Sequence, residues 1–157
     1  LARPRIGLTS SLVTMELAGR ALRWLRRAAP ARTPEPGLWQ EINQLLDALD
    51  RPDAAAQGPA LLAAAGLRML AAAGWALELD RCVRCGKPCP ERARVLVDVH
   101  AGGVVCRGCG GTGVPLPSRA RRAMVAAQTG AAFDGDADAV IALVARAFDI
   151  HGRGEAT

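Results

Sequence analysis

The sequence is poor in aromatic residues and in lysine. Its 157 residues include three Trp, two Phe and no Tyr, and Lys87 is the only lysine beside nineteen arginines. With so few rings, a core must be built from the abundant Ala, Leu and Val, and this aliphatic composition favours helices over sheets. Half of the residues are apolar and 22% are charged, which is typical of a folded globular protein and excludes a disordered chain.

The chain also lacks an uninterrupted apolar segment of membrane-spanning length. The segment from Ala60 to Leu77 comes nearest, but Arg68 lies at its centre, where insertion into a bilayer would cost about 3 kcal/mol. We therefore expect a buried helix there and no membrane contact. The first 30 residues have no apolar run of the kind found in secretory signals, so we expect a cytoplasmic location. Because the chain begins at Leu1 rather than Met, we also expect it to be a fragment.

Three amphipathic helices are predicted in the first 80 residues. Their apolar residues recur at spacings of three and four: Leu12, Met15, Ala18, Leu22 and Leu25; Leu38, Ile42, Leu45, Leu46 and Leu49; Leu62, Ala65, Met69, Leu70 and Ala73. The first helix ends before Pro30 and the second before Pro52, while Pro59 suits the first turn of the third helix and Gly74 its end. The short connections between them favour an antiparallel bundle.

The helical period disappears from Cys82 to Gly113, where only a short β-like run from Val95 to Val99 is apparent. Two more helices are predicted after it, one over Ser118 to Gln128 and one with the stripe Val140, Ile141, Val144, Ala147 and Phe148. The predicted fold class is mainly α, a helical bundle with an inserted four-cysteine zinc-knuckle or zinc-ribbon subdomain. The expected division is a bundle over 1–80, a zinc-binding subdomain over 81–113, and C-terminal helices over 114–157 that pack back on the bundle.

Two cysteine pairs carry the chemistry of this sequence. Cys82 and Cys85 form one C-x-x-C knuckle, and Cys106 and Cys109 form a second one 20 residues later. Two such knuckles present four thiolates to one tetrahedral ion, and the glycine after each knuckle permits the positive φ that turns backbone amides toward sulfur. We predict one structural zinc ion. Four protein ligands leave no open position for water, so hydrolysis at this metal is not expected.

Disulfides and redox chemistry are the alternatives to zinc for these cysteines. A cytoplasmic setting disfavours two disulfides, and a redox C-x-x-C would be expected at a strand-to-helix junction of thioredoxin type. Cys89, the fifth cysteine, could replace a ligand, but a free thiol is the better interpretation, and His100 is interpreted as an exposed loop residue. The sequence contains no nucleophile elbow, phosphate-binding loop or H-E-x-x-H motif, so no enzymatic activity is predicted.

The segment from Gly66 to Gly86, GLRMLAAAGWALELDRCVRCG, resembles the signature of the RecO family of bacterial DNA-repair and recombination-mediator proteins. In that family a helix ending in Leu-Gly-aromatic leads directly into the first knuckle, and Ala73-Gly74-Trp75 followed by Cys82 occupies those places here. The Gly-Gly stretch before Cys106 is similar as well. With the upstream helices and the Pro115-Leu116-Pro117 helix start, the resemblance covers nearly the whole chain.

The resemblance implies a non-enzymatic role. Family members help RecA to replace single-strand DNA-binding protein on exposed strands, anneal complementary strands and work with RecR, which implies a bacterial cytoplasm and a nucleoid-associated protein. An N-terminal OB-fold barrel precedes these helices in the family. The present sequence has no such barrel, so we expect a RecO lacking it, whose remaining part docks protein partners and binds single-stranded DNA more weakly.

Basic residues are the remaining candidates for DNA contact. Single-strand binding without sequence preference uses stacked aromatics, which are scarce here, and Trp75 and Phe148 fall on stripes typical of a core. The net charge is +5, which suits an acidic partner. The candidates around the knuckles and on the following helix are Arg81, Arg84, Lys87, Arg92, Arg94, Arg119, Arg121 and Arg122. A merely solvated basic surface, enriched in Arg by a GC-rich genome, is the alternative.

Three functional hypotheses follow from the sequence. The first is a RecO-type mediator module fastened by zinc. The second is a stand-alone zinc-ribbon protein that binds DNA or has a regulatory role, which the basic charge allows but the absence of a recognition-helix pattern disfavours. The third is a thiol-redox protein, suggested by the surplus cysteine.

Overall fold

The computed structural model describes residues 3–29 and 33–152. Within these residues the chain forms five α-helices and a small three-stranded sheet: α1 (Leu12–Ala28), α2 (Pro36–Leu49), α3 (Ala54–Ala72), β1 (Val95–Asp98), β2 (Gly103–Val104), β3 (Val114–Leu116), α4 (Ser118–Gln128) and α5 (Ala137–His151). We call residues 81–116, which contain all five cysteines and the three strands, the cysteine lobe. The predicted fold class, mainly α with an inserted four-cysteine element, is confirmed.

Helix α3 lies at the centre of the bundle and is buried on nearly every side. All residues from Leu62 to Leu70 are buried except Arg68, and α3 packs against α1, α2, α4 and α5. The Nε of Arg68 donates to Oε2 of Glu41 on α2 at 2.8 Å, which compensates the one charge in the apolar segment. The predicted buried helix is therefore confirmed. Among the described residues, no helix is both long and apolar enough to cross a membrane.

The buried face of α1 differs from the predicted one. Ala18 and Leu25 lie in the core, but Leu12, Met15 and Leu22 are 83%, 47% and 40% exposed. The face that packs inward is Thr14, Leu17, Ala18, Ala21, Trp24, Leu25 and Ala28. The prediction was wrong because α1 carries apolar residues on two faces, and their spacing does not say which face meets the bundle.

Helix α3 begins earlier than Pro59 predicted. Its first residue is Ala54, and Asp53 before it has a φ of 67°, which reverses the chain between α2 and α3. Pro59 lies inside the helix, where its missing N–H leaves one backbone carbonyl of the first turn without its usual partner. The first turn consists of alanines with no apolar periodicity, so the pattern could not reveal it.

A small aromatic cluster joins α1, α5 and the segment that follows α3. The ring of Phe148 on α5 is fully buried, stacks on Trp24 of α1 with centroids 5.5 Å apart, and meets the edge of Trp75 at 6.0 Å. The prediction that Trp75 and Phe148 belong to the core is confirmed, although Trp75 is only partly buried. Two Trp rings and one Phe ring thus supply most of the aromatic contact in the protein.

The strands form an antiparallel sheet in the order β2-β1-β3. Strand β1 lies where the β-like run predicted it, with Val97 opposite both Val104 and Val114. Strands β2 and β3 were not predicted, because they have two and three residues and contain Gly103 and Pro115. The outer side of β2 is occupied by Glu78, whose N–H donates to Gly102 and whose carbonyl accepts from Val104.

Arg121 of α4 fastens the cysteine lobe to the bundle. Its side chain is only 4% exposed. The guanidinium donates to the carbonyl oxygens of Leu79, Pro90 and Glu91 at 3.2, 2.8 and 2.9 Å. Its Nη1 lies 3.5 Å from the carboxylate of Asp80. The expectation that Arg121 is available to DNA is therefore wrong.

We expect Gly66→Ala to destabilise the bundle. A Cβ on Gly66 would lie 2.7 Å from Cγ1 of Val144 and 2.8 Å from the ring of Trp24, and both neighbours are held in the core. Overpacking should outweigh the better helix propensity of alanine and lower the free energy of unfolding in urea by about 1 kcal/mol. Gly19→Ala on α1 is the matched control, because its Cβ would approach only Arg23 at 3.6 Å, and it should be stabilising. Equal stabilisation by both changes would contradict the close approach of the helices.

Arg121→Met should lower the free energy of unfolding by about 3 kcal/mol, because it leaves three backbone carbonyls and Asp80 without their cation. Arg122→Met removes the same charge from a side chain that is 56% exposed and 3.9 Å from Glu91, so its effect should stay within about 0.5 kcal/mol. Urea denaturation of both variants compares them directly. A similar small effect of the two changes would show that Arg121 does not hold the lobe.

Candidate metal centre

Each knuckle is a tight turn closed by backbone hydrogen bonds. In the first knuckle, the N–H of Cys82 donates to the carbonyl oxygen of Lys87, and the N–H of Gly86 donates to the carbonyl oxygen of Cys82, both at 2.9 Å. In the second, the N–H of Cys109 donates to Cys106 at 3.1 Å. Gly86 and Gly110 have φ values of 73° and 74°, so the positive φ predicted for both glycines is confirmed.

The sheet brings the two knuckles together. Strands β1 and β2 form a hairpin that returns the chain from the first knuckle to the second, and the N–H of Val83 donates to Val104 at 2.9 Å. The N–H of Cys106 then lies 3.4 Å from Sγ of Cys82. The cysteines meet because the first knuckle is hydrogen-bonded to β2, and the second knuckle follows β2 directly along the chain.

The sulfur atoms of Cys82, Cys85, Cys106 and Cys109 all lie within 4.8 Å of one another. Cys85 Sγ and Cys106 Sγ are 3.7 Å apart. Tetrahedral zinc with bonds of about 2.3 Å separates its sulfur ligands by about 3.8 Å. These four cysteines, which are the ones that the sequence singled out, lie close enough together to bind a metal ion.

Backbone N–H groups and the neighbouring thiols give the cysteines of the cluster very different pKa values. Hydrogen bonds from the backbone of Cys106, and next of Cys85, lower the pKa of the Cys82 thiol from 9.0 to about 6. Hydrogen bonds with the side chains of Cys106 and Cys85 raise the pKa of Cys109 to about 12. Sulfurs this close share protons rather than all becoming thiolates, and a divalent cation would replace those protons.

Cys89 and His100 lie outside this cluster. Cys89 is half-buried, its N–H donates to Asp80 at 2.8 Å, and burial raises the pKa of its thiol. His100 is exposed in the turn between β1 and β2, where its N–H donates to Oδ1 of Asp98 at 3.0 Å. Neither residue belongs to the group of four clustered sulfurs.

The cysteine lobe carries an exposed group of cations, which we call the basic face: Arg81, Arg84, Lys87, Arg92, Arg94 and Arg107. Sequence reasoning found the first five and missed Arg107, although its position inside the second knuckle was a sufficient signal. Arg84 also donates from Nη1 to the carbonyl of Cys109 at 3.0 Å, which links the two knuckles. Arg119 and Arg122 on α4 are exposed too, and each lies 3.9 Å from a carboxylate.

Comparisons with a family model and with curated proteins both point to the same family. The family model "Recombination protein O C terminal" matches residues 10–137. The DNA repair protein RecO of Anaeromyxobacter sp. (strain K) is 38% identical over 108 residues, which cover 69% of this chain and 41% of that protein. The DNA repair protein RecO of Thermobifida fusca (strain YX) is 46% identical over 61 residues, 39% of this chain and 24% of that protein. No solved structure matches significantly.

The matched chain spans about two fifths or less of the length of these curated relatives. The family model nevertheless accounts for most of the present chain, including α1 to α4 and both knuckles. The resemblance seen in the sequence is thereby confirmed, and the protein belongs to the RecO family of DNA repair proteins, in its C-terminal part.

Proposed function

We propose that this chain acts in DNA repair as part of a recombination mediator without enzymatic activity. In this proposal it assists RecA loading and strand annealing on single-stranded DNA together with RecR and single-strand DNA-binding protein, at the nucleoid in the bacterial cytoplasm. Family membership supports the general role. The basic face on the cysteine lobe is the observation that supports the role in DNA contact.

The proposed metal is one structural zinc ion held by Cys82, Cys85, Cys106 and Cys109. Four convergent sulfurs are the donor set that zinc prefers in structural sites, and their spacing fits a tetrahedron. Bound zinc would neutralise the thiolates and tie the two knuckles together. Since all four positions would be protein ligands, the centre supports no attack by a metal-bound water, which agrees with a non-enzymatic protein. In this view residues 81–113 form a metal-dependent subdomain between the bundle helices and the C-terminal helices.

The basic face supports contact with single-stranded DNA. From Arg81 to Cys109 the chain has six basic residues and only two acidic ones, Glu91 and Asp98. None of the six cations forms a salt bridge with any residue that the structure describes. Cations without carboxylate partners are free to replace the counterions of a phosphate backbone.

The outer face of α1 supports a role in docking partner proteins. Leu12, Met15 and Leu22 are exposed at helical spacing on this face, and Arg23 and Arg26 are exposed beside them. Exposed aliphatic residues arranged in this way are common at protein interfaces. This face lies on the bundle, so docking and DNA contact would use different parts of the chain.

Loss of zinc should destabilise the protein. Cys82→Ser, or treatment of the wild type with a chelator, should lower Tm by roughly 10 °C, because the lobe loses its cross-link. Scanning calorimetry with elemental analysis of bound zinc provides the measurement. Cys89→Ser is the matched control and should retain one zinc ion per chain and the wild-type Tm. An unchanged Tm after complete metal removal would refute the structural role.

Binding to fluorescein-labelled single-stranded DNA should weaken steeply with salt in anisotropy titrations, with a slope of about −0.7 per phosphate contacted. Arg92→Ala combined with Arg94→Ala should reduce that slope by about 1.4. Arg20→Ala combined with Arg23→Ala on α1 removes the same charge from the bundle and should change the slope less. Absence of binding near physiological salt would place DNA contact outside this chain and leave it as a docking module.

A further inference from the structure

A cavity of about 520 Å³ opens beside the candidate metal centre. Among its lining residues Val95 and Val104 of the sheet and the adjacent Val105 are buried, and Cys106 forms part of its wall. The volume lies within the roughly 300–1,000 Å³ of known small-molecule sites. A structural zinc ion does not require such a cavity. The cavity is therefore a candidate site for a separate ligand.

The charged residues that line the cavity are all cations. Lys87, Arg94 and Arg107 are exposed along it, and no Asp or Glu is among its lining residues. None of the three cations forms a salt bridge with a residue in the described ranges 3–29 and 33–152. A matching ligand should therefore carry negative charge near these exposed cations and an apolar or weakly polar group against the buried valines.

The walls suit a flat ring. Pro88, Pro90 and Pro115 line the cavity, and their rigid pyrrolidine rings present C–H groups against which a planar guest can lie. A nucleotide of an unpaired strand has the required parts, because its base is planar and its phosphates are anionic.

An extended peptide fits this part of the lobe less well. Peptides that bind beside a sheet gain much of their affinity from main-chain hydrogen bonds to a free strand edge. Here the outer side of β2 is already bonded to Glu78, and β3 contains Pro115, which has no N–H to donate. A nucleotide needs no strand edge.

We propose that this cavity accepts one unstacked base of single-stranded DNA while Lys87, Arg94 and Arg107 contact the flanking phosphates. The inference rests on the proposed contact with DNA and adds a base-binding subsite to it. Thymine suits the valine floor, because its methyl group finds apolar neighbours. A base in duplex DNA is paired and stacked and cannot enter, so the cavity favours single strands.

The first test changes the ligand and leaves the protein intact. Anisotropy titrations compare a labelled oligothymidylate with a strand of equal length whose nucleotides are abasic, so that both carry the same phosphates. The abasic strand should bind about tenfold more weakly at equal salt, with an unchanged salt slope. Equal affinities would overturn the base subsite while leaving DNA binding itself intact. Failure of both strands to bind would remove the proposed DNA function and the subsite with it.

The second test locates the effect in the cavity. Ala93→Phe places a ring in the space that the base would occupy, and Ala142→Phe puts the same ring on the exposed side of α5. Provided that Tm and zinc content match the wild type, Ala93→Phe should abolish the tenfold difference between the two strands and Ala142→Phe should preserve it. If the difference persists in Ala93→Phe, the base binds elsewhere. If Arg94→Ala combined with Arg107→Ala, examined under the same conditions, leaves the affinity for both strands unchanged, the assigned phosphate contacts are wrong.

A competition experiment separates nucleic acid from an acidic peptide. A labelled peptide of alternating glutamate and leucine should bind wild type and Ala93→Phe equally weakly. If it binds the wild type more tightly than oligothymidylate does, and Ala93→Phe abolishes that binding, the cavity belongs to acidic peptides and the proposal falls.

Discussion

The burial of α3 is the constraint on which the rest of the fold depends. The central turns of this helix are buried on nearly every side, so the helices that pack against it must each present an apolar surface to it. Its run of small residues, Ala63 to Gly66, leaves room for side chains of the neighbouring helices, and the ring of Trp24 and Cγ1 of Val144 lie directly against Gly66. The charge of Arg68 is tolerated because Glu41 on α2 lies within hydrogen-bond distance of it.

The cysteine lobe depends on the bundle for its position. The chain leaves α3 through Gly74, and Leu77 and Leu79 enter the same core as the helices. Helix α4 then returns to this segment, since Gln128 donates to Leu77 and Arg121 donates to Leu79. A surface that contacts DNA from this lobe would therefore be held rigidly on a helical support, as functional sites require.

Much of this arrangement could be predicted from the sequence, because its signals are local. The two C-x-x-C pairs identify the clustered cysteines by spacing alone, and α4 was predicted with its observed ends. The orientation of α1 could not be predicted, since it depends on which of two apolar faces fits α3. Likewise Arg121 looks like any other basic residue until the fold places three carbonyls around it. The cavity beside Cys106 forms where several short segments between Lys87 and Pro115 meet in the fold, so no local sequence pattern predicts it.

Because Leu79 and Arg121 are far apart in sequence, a metal ion bound by the sulfur cluster would also affect the entropy of closing the chain between them. These hydrogen-bonded partners are 42 residues apart, and Cys85 and Cys106, which lie between them, are 21 residues apart. A metal ion that joins the two cysteines would shorten the loop that Arg121 closes to about half its length, and each halving reduces the entropic cost of closure by about 0.6 kcal/mol. Metal binding would thus favour attachment of the lobe to α4 without adding a single contact between them.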